Sequence, residues 1–214
     1  MTKLKDLRKL IIDRRNRKRL TNTTPTLISS NCAAGMIYHW LGLRFHSPFI
    51  NLWMTNDDFL TAMENFDDFL STPLSEDKSG IRDYPVGLGY KGTRVFFLHY
   101  GSWQEAITKW EQRISRIQPD NMAIILSNFK GVKEETASPE DILYRFDRLP
   151  FANKVAFTDR PYPQYPWAVH LPGYRPDRGM NVFDTRPLAR NRYIDSFDYV
   201  RFINSLRDSK NSNT

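Results

Sequence analysis

Residues 27–39 read LISSNCAAGMIYH, a short apolar run that passes through small polar residues into a helix-like stretch. This order predicts a strand, a tight turn and a helix that carries Cys32, the single cysteine of the chain. A junction of this kind directs backbone N–H groups and the positive end of the helix dipole toward one point. We therefore expect the turn to hold an anionic group and to lower the pKa of the Cys32 thiol.

Strands and helices alternate along the rest of the chain. Apolar runs bounded by turn-forming residues predict strands at residues 26–29, 49–53, 86–88, 94–98, 122–126 and 154–157. Helical spacing and capping residues predict helices at residues 32–41, 56–70, 102–118 and 193–206, and one that begins at Ser138. Residues 71–85 read as a polar connector, and residues 159–192 have no clear period. The pattern favours an α/β fold with a mixed, mainly parallel sheet, flanking helices and one antiparallel hairpin.

The positive charge of the chain is concentrated at its N-terminus. The 214 residues carry a net charge of +7, and residues 1–19 hold nine Lys or Arg against Asp6 and Asp13. The rest of the chain, with 22 basic and 22 acidic residues, is neutral, so we expect no binding of nucleic acid. A turn-rich break at residues 21–25 predicts a basic arm (1–23), a single α/β domain (24–206) and a polar tail (207–214).

The basic arm has two interpretations. Leucine and isoleucine alternate with Lys and Arg in residues 4–15, which allows a short amphipathic helix resting on an anionic membrane surface. The alternative is a solvated, partly frayed tail. No apolar run suits a membrane span or a signal peptide, and a single cysteine agrees with a reducing compartment. We expect a cytoplasmic protein, peripheral at the inner membrane face under the first interpretation.

Candidate site residues follow from the predicted sheet. In open α/β sheets, ligands bind beyond the carboxyl ends of the strands, so polar residues at those ends are expected to converge. These residues are Ser29, Ser30, Asn31 and Cys32, then Thr55 and Asn56, then His99 and Tyr100, then Ser127 and Asn128, and finally Thr158 and Asp159.

Several of these residue types suit particular chemistry. Cys32 is the candidate nucleophile and His99 its candidate base, which requires the two side chains about 3 Å apart. The alternative for Cys32 is a small buried residue that packs the strand–helix junction. Asn31 either caps the helix or donates a hydrogen bond to a developing oxyanion, and the two roles are compatible. Gly35 costs helix stability, which suggests close approach of a ligand or of a neighbouring strand.

Three cations line one edge of the predicted helix at 102–118. Lys109, Arg113 and Arg116 either hold the phosphates of a donor substrate or form a solvated face with ion pairs. The sequence contains no phosphate-binding glycine loop and no Asp-x-Asp, and its four His and one Cys lack metal-ligand spacing. We expect no metal site; acyl-CoA or a nucleotide sugar is compatible as a donor.

A set of spaced motifs resembles one bacterial family. The motifs are Ser29-Ser30-Asn31-Cys32-x-x-Gly35-x-x-Tyr38, Leu43-x-x-x-Ser47-Pro48-x-x-x-Leu52, Tyr84-Pro85-Val86-Gly87, His99-Tyr100, Trp110-x-x-Arg113-x-x-Arg116-Ile117, Asp120-Asn121, Phe146-Asp147-x-Leu149-Pro150 and Lys154-Val155-x-Phe157. They resemble domain-of-unknown-function family 1919, often labelled as exopolysaccharide biosynthesis proteins, over about residues 24–206. One departure is Ser30, because that family usually has two Asn before the Cys. The junction is also similar, over a few residues, to polysaccharide acetyltransferases of capsule loci.

The resemblance implies a role in bacterial surface polysaccharide synthesis on the cytoplasmic side of the membrane. We expect a transferase, with acyl transfer preferred, that acts on a polysaccharide precursor and a nucleotide-linked or lipid-linked donor. Cys32 or a neighbouring Ser would be the nucleophile, Asn31 and backbone N–H groups would stabilise the oxyanion, and His99 would be the base. The alternatives are a glycosyltransferase of the same pathway, or a non-catalytic member of a polysaccharide assembly complex that binds glycan or nucleotide sugar.

Overall fold

A parallel sheet and a smaller antiparallel sheet organise the protein. The computed structural model describes residues 2–127 and 137–206, with side chains from residue 7 onward. Within these ranges the strands are β1 (Thr26–Ser29), β2 (Ser75–Glu76), β3 (Val86–Leu88), β4 (Arg94–Phe96), β5 (Met122–Leu126), β6 (Lys154–Thr158) and β7 (Ala168–His170). The helices there are α1 (Thr2–Arg19), α2 (Ala33–Leu41), α3 (Asn56–Glu64), α4 (Phe66–Ser71), α5 (Trp103–Ile114), α6 (Pro139–Asp147) and α7 (Tyr199–Ser205). The predicted α/β class is confirmed.

The strands pair within two separate sheets. The parallel sheet has the order β1-β5-β6-β7, with Ser29 opposite Ile125 and Ile125 opposite Val155. The antiparallel sheet has the order β2-β3-β4 and contains the predicted hairpin. Because the four parallel strands run in one direction, their carboxyl ends lie along one edge of the sheet.

Both faces of the parallel sheet are buried. Along β5, Ala123 and Ile125 pack against one apolar core, and Ile124 and Leu126 pack against the other. Helices α2 and α7 supply the first core, and α3, α5 and α6 supply the second. Burial on both faces explains why the central strands read as continuous apolar runs.

The strand predicted at residues 49–53 is wrong. Asn51 has a positive φ of 59°, and Trp53 pairs with Phe96 only through an isolated bridge. The segment is apolar because Ile50 is buried in one core and Phe49 in the other. An apolar run reports burial, and it does not distinguish a strand from a buried irregular segment.

Other element boundaries also differ from the sequence predictions. Strand β7 lies within residues 159–192 and β2 within the connector at 71–85; both are short, with exposed or half-buried residues and no apolar run. The helix predicted at 56–70 is interrupted at Asn65, whose φ and ψ of −128° and 47° are not helical. The helix predicted at 102–118 ends at Ile114, and a 3₁₀ turn (Tyr193–Ser196) precedes α7.

The basic arm is helical, and its C-terminal half is fixed to the domain by polar contacts. Asn16 donates a 2.8 Å hydrogen bond from Nδ2 to the Tyr199 hydroxyl, and Arg17 donates from Nε to the Trp40 carbonyl at 2.6 Å. The alternative of a solvated, partly frayed tail therefore does not hold for Asp13, Asn16 and Arg17, which contact the domain. None of the described helices is both long enough and apolar enough to cross a membrane.

Candidate functional site

A cleft of about 390 Å³ lies at the carboxyl edge of the parallel sheet. It receives residues from the β1–α2 junction, from the ends of β4 and β5, from the segment before α3, and from residues 181–183. The lining residues are Ser30, Asn31, Cys32, Met36, Trp53, Met54, Asn56, Leu98, His99, Ser127, Asn181 and Phe183. A concave site of this size, with apolar walls and a few polar groups, is typical of a small-molecule site.

Hydrogen bonds between the ends of β1 and β5 form one side of the cleft. The Ser30 amide donates to the Ile125 carbonyl at 3.3 Å, and the Ser30 hydroxyl donates to the Ser127 carbonyl at 3.2 Å. The Ser127 hydroxyl in turn donates to Oδ1 of Asn31 at 2.9 Å. All three polar residues are at most 9% exposed, so this side of the cleft is a buried hydrogen-bonded network.

Asn31 combines a structural bond with an unused donor. Its Oδ1 also accepts from the Ala33 amide at 3.0 Å, which caps the start of α2. Its Nδ2 is buried and has no hydrogen-bond partner among the described residues. A buried amide donor without a partner costs free energy, so a ligand that accepts from Nδ2 would be favoured here.

Side chains accept hydrogen bonds from the first backbone amides of α2, which were expected to be open to an anionic group. The Ala34 amide donates to Oγ of Ser29 at 3.1 Å, and the Ser29 hydroxyl donates to the Asn31 carbonyl. Ser29 is fully buried and does not line the cleft. Because Asn31 and Ser29 already accept from the Ala33 and Ala34 amides, these two amides are not open to an anionic ligand.

Cys32 lines the cleft at the first residue before α2. The thiol lies 3.8 Å from the Leu52 carbonyl oxygen. Burial raises the pKa of the Cys32 thiol. The expected lowering of this pKa is therefore wrong, because burial removes water from the thiolate and disfavours its charge.

His99 and Asn56 reach the cleft from other elements. His99 is exposed and follows β4, and its backbone amide donates to the Asn51 carbonyl at 3.4 Å. Asn56 is 2% exposed at the first position of α3, a helix capped by the Thr55 hydroxyl. The fold thus brings five candidate residues into one cleft. They are Ser30, Asn31, Cys32, Asn56 and His99.

Other candidate residues lie outside the cleft lining. Gly35 faces Ile50 and Asn51, where an added Cβ would make only ordinary contacts of 3.6 Å or longer. Tyr100 donates from its hydroxyl to the Ile50 carbonyl at 2.9 Å, so it braces the segment before the cleft. Asp159 follows β6 and is not among the lining residues. Asn128 falls outside the described residues.

The three cations of α5 and its C-terminal turn also lie away from the cleft lining. Arg113 is buried; it donates to the Tyr100 hydroxyl at 2.6 Å and its guanidinium lies 5.2 Å from the centre of the Phe45 ring. Arg116 donates to the Phe45 carbonyl at 3.4 Å, and Lys109 is exposed. Arg113 thus has a structural role in holding Tyr100.

Comparison with known proteins agrees with the motifs quoted above. Residues 3–204 match the family described as "Domain of unknown function (DUF1919)". The chain belongs to the DUF1919 family. A relative from Haemophilus influenzae, described as an uncharacterized protein, is 36% identical over 197 residues, which cover 92% of this chain and 92% of the relative. The family match begins at residue 3, so it includes the basic arm that the quoted motifs left out.

Several lining residues of this DUF1919 cleft escaped the sequence reasoning. Met36 could have been predicted from its position one helical turn after Cys32, and Leu98 from its position directly before His99. Trp53 and Met54 were hidden by the wrong strand at residues 49–53. Asn181 and Phe183 come from a stretch without periodicity, and no sequence signal placed them in the site.

The DUF1919 cleft has few ionisable groups. Of its lining residues only Cys32 and His99 have ionisable side chains. In the described ranges, no group of three or more His, Cys, Asp or Glu side chains is arranged to hold a metal ion. The arrangement therefore offers one thiol, one imidazole and a set of buried amide and hydroxyl groups.

Proposed function

We propose that this DUF1919 protein is a transferase that acts in the synthesis of a bacterial surface polysaccharide, with acyl transfer as its reaction. The observation that carries this proposal is the buried Nδ2 of Asn31, which has no hydrogen-bond partner in the part of the chain that the structure describes, in a cleft that also contains the only thiol of the chain. Acyl transfer needs a nucleophile, a base and a donor for the developing oxyanion. Cys32, His99 and Asn31 are residues of the types that fill these three roles.

The first half of the reaction forms a thioester on the protein. The Cys32 sulfur attacks the carbonyl carbon of an acyl thioester, and His99 accepts the thiol proton. The carbonyl oxygen becomes negatively charged and accepts a hydrogen bond from Nδ2 of Asn31. When the bond to the donor sulfur breaks, His99 returns the proton to the departing thiolate, leaving acyl-Cys32 and a free thiol.

The second half transfers the acyl group to the acceptor. A sugar hydroxyl attacks the acyl-Cys32 carbonyl, His99 takes the hydroxyl proton, and the oxyanion again faces Asn31. Collapse forms the ester and returns the proton to Cys32. The raised pKa of the Cys32 thiol makes the base necessary, because a buried neutral thiol is a poor nucleophile until its proton is removed.

We assign the protein to the membrane face on which such precursors are handled, as a peripheral protein. The family resemblance supports the polysaccharide pathway, and the basic α1 helix supports peripheral attachment. We propose no residue that binds the phosphates of the donor, since Lys109, Arg113 and Arg116 lie outside the cleft lining.

A second candidate function is that the cleft binds a glycan or a nucleotide sugar. The protein would then either catalyse glycosyl transfer or bind this ligand without catalysis. The raised pKa of the Cys32 thiol favours it, because a protonated thiol suits a packing role. Trp53 adds an aromatic surface to the lining, stacked on Phe96 with ring centres 3.9 Å apart. Aromatic rings of this kind pack against sugar rings.

Mass spectrometry of the intact protein separates the two candidates. The purified protein is incubated with acetyl-CoA or a longer acyl-CoA, and in parallel with nucleotide sugars, and its mass and melting temperature are recorded. Acyl transfer predicts an adduct of one acyl group that hydroxylamine removes. Because Cys32 is the only cysteine, Cys32→Ala must abolish a thioester adduct.

The melting temperature and the Cys32→Ala variant provide independent checks on the adduct. A donor at 100 times its dissociation constant stabilises the protein by about 2.7 kcal/mol, which is visible as a higher melting temperature. Stabilisation by a nucleotide sugar, with no adduct from any acyl-CoA, would overturn acyl transfer in favour of the second candidate. An adduct that persists in Cys32→Ala would contradict the role of Cys32.

A further inference from the structure

The outward side of α1 carries a cluster of exposed apolar side chains. Leu7, Leu10 and Ile11 are 55%, 63% and 60% exposed. Their spacing of three and four residues places them on one side of the helix. Exposed apolar side chains that cluster in this way are typical of an interaction surface, whereas single exposed ones are ordinary.

The inward side of α1 contacts the domain mainly through polar side chains, beside the half-buried Ile12, which is the reverse of a usual surface helix. Asn16 contacts Tyr199, Arg17 donates to the Trp40 carbonyl, and Asp13 forms an ion pair with Arg192. A helix on a globular domain normally buries its apolar side and exposes its polar side. Here polar side chains of α1 make the contacts with the domain, and Leu7, Leu10 and Ile11 face away from it.

The outward side is also positively charged. Arg14 and Lys18 follow Leu7 and Ile11 by seven residues, so they continue the same side of the helix, and both are exposed. Arg15 is exposed beside them. Asp13, the only acidic residue in residues 7–19, is turned inward to Arg192. The outward surface, defined as Leu7, Leu10, Ile11, Arg14, Arg15 and Lys18, therefore combines apolar and cationic side chains without a carboxylate.

We propose that this outward surface of α1 docks on an anionic lipid membrane. The apolar side chains would enter the boundary between headgroups and acyl chains, and the cations would contact lipid phosphates. A nucleic acid offers phosphates but no apolar layer for the leucines. A second copy of the chain would bring like charges together across the same surface. Of these partners, an anionic bilayer alone complements both properties.

This docking surface rests on the peripheral attachment in the proposed function and specifies which residues provide it. It does not depend on the chemistry of the cleft. The test is co-sedimentation with vesicles of phosphatidylcholine alone and with phosphatidylglycerol added. The wild-type protein is expected to bind the anionic vesicles and to dissociate as salt is raised. Binding equal on both vesicles, or absent from both, would overturn the proposal.

Two triple variants separate the apolar from the electrostatic contribution. Arg14→Gln/Arg15→Gln/Lys18→Gln is expected to lower the partition coefficient on anionic vesicles by roughly a hundredfold. Leu7→Gln/Leu10→Gln/Ile11→Gln keeps the charge and is expected to lower it by roughly tenfold or more. The melting temperature should stay near the wild-type value in both, because these side chains are exposed.

Matched variants elsewhere on the surface serve as controls. Lys78→Gln/Lys109→Gln/Arg178→Gln removes the same charge from exposed positions, and Ile81→Gln/Leu188→Gln removes exposed apolar groups. If the charge control loses as much binding as the variant of Arg14, Arg15 and Lys18, the net charge of the protein and not α1 causes the binding. That result would refute the docking surface. A wild-type dimer that the apolar variant dissociates would assign the surface to a second copy and also refute it. Cys32→Ala should bind vesicles normally, so a failure of acyl transfer leaves this result intact.

Discussion

The hydroxyl of Ser127 donates a 2.9 Å hydrogen bond to Oδ1 of Asn31, joining the ends of two neighbouring parallel strands that lie 96 residues apart in sequence. The Ala33 amide donates to the same oxygen, which fixes the orientation of the Asn31 amide group. Nδ2, for which residues 2–127 and 137–206 provide no partner, is then the part of the side chain that can donate to a ligand. One residue thus caps α2 and supplies a donor to the cleft.

Substitution of Asn31 should separate its two roles. Asn31→Ala removes the oxygen that accepts from Ala33 and Ser127, so we expect a loss of about 1–2 kcal/mol in the free energy of unfolding. Asn31→Asp keeps an acceptor at the helix start and should retain most of that stability, while the ligand donor is lost. Urea unfolding measures the first effect, and ligand-induced stabilisation measures the second.

The control for Asn31 is Ser127→Ala. It removes one of the two bonds to Oδ1 and should cost about 1 kcal/mol. Because the two residues share a bond, the double variant should lose less than the sum of the single losses. Fully additive losses would mean that the two side chains are not bonded in solution.

Cys32 should make stability fall at alkaline pH. Burial raises the pKa of its thiol in the folded protein, so the unfolded chain releases the proton first as pH rises. The stabilising contribution is complete below the pKa of the unfolded thiol, about 8.5, and is lost as pH rises through the folded pKa. The measurement is the free energy of unfolding of the wild type minus that of Cys32→Ser, at about pH 7 and about pH 10.

Alkylation of the thiol provides an independent check. The rate of reaction of Cys32 with iodoacetamide should rise with pH, with an inflection above that of a free cysteine in an unfolded control. Two results would show that burial does not raise the pKa of the thiol. One is a stability difference between wild type and Cys32→Ser that does not change with pH. The other is an alkylation inflection at or below the pH found for the unfolded control.

His99 should matter for transfer and not for folding. It is exposed at the cleft, so His99→Gln should leave the melting temperature unchanged. If His99 is the base, the rate of acyl transfer should fall by about 10²–10⁴-fold. His170→Gln is the matched control, since His170 is also exposed and is not a lining residue of the cleft. Equal effects of the two substitutions on the rate would contradict the assigned base.

Arg192 should be the main attachment of α1 to the domain. Its guanidinium pairs with Asp13 and Asp195 and lies 3.8 Å from the centre of the Trp40 ring, and the residue is only 2% exposed. Arg192→Ala leaves two carboxylates without their cation, so we expect a loss of about 3 kcal/mol and earlier trypsin cleavage within residues 1–19. Urea unfolding and limited proteolysis measure the two effects.

The exposed pair of Arg175 and Asp177 provides the comparison for Arg192. Their side chains are 46% and 41% exposed, so Arg175→Ala should cost less than about 1 kcal/mol. Equal losses in the two variants would show that Arg192 is not buried as described. Retained protection of residues 1–19 in Arg192→Ala would mean that Asn16 and Arg17 suffice to hold α1.

The sequence alone determined the elements whose signals are local. The apolar runs of β1, β5 and β6 and the caps Ser102 and Ser138 predicted those strands and two helices, because burial on both faces and helix capping leave marks within a few residues. The rule that parallel strands share one carboxyl edge correctly placed Ser30, Asn31 and Cys32 in the cleft. Asn56 and His99 also line it, but for another reason, because Asn56 follows an irregular segment and His99 follows a strand of the antiparallel sheet.

Tertiary structure decided what depends on partners distant in sequence. The desolvation that raises the pKa of Cys32 comes from the fold around it, and the hydroxyl of Tyr100 donates to the Ile50 carbonyl across 50 residues. Asn181 and Phe183 reach the cleft from a stretch without periodicity, and β7 is a short edge strand that carries no apolar run. The direction that α1 faces is also tertiary: Asp13 meets Arg192 across 179 residues, and that pairing, together with Asn16 and Arg17, leaves the leucines outward.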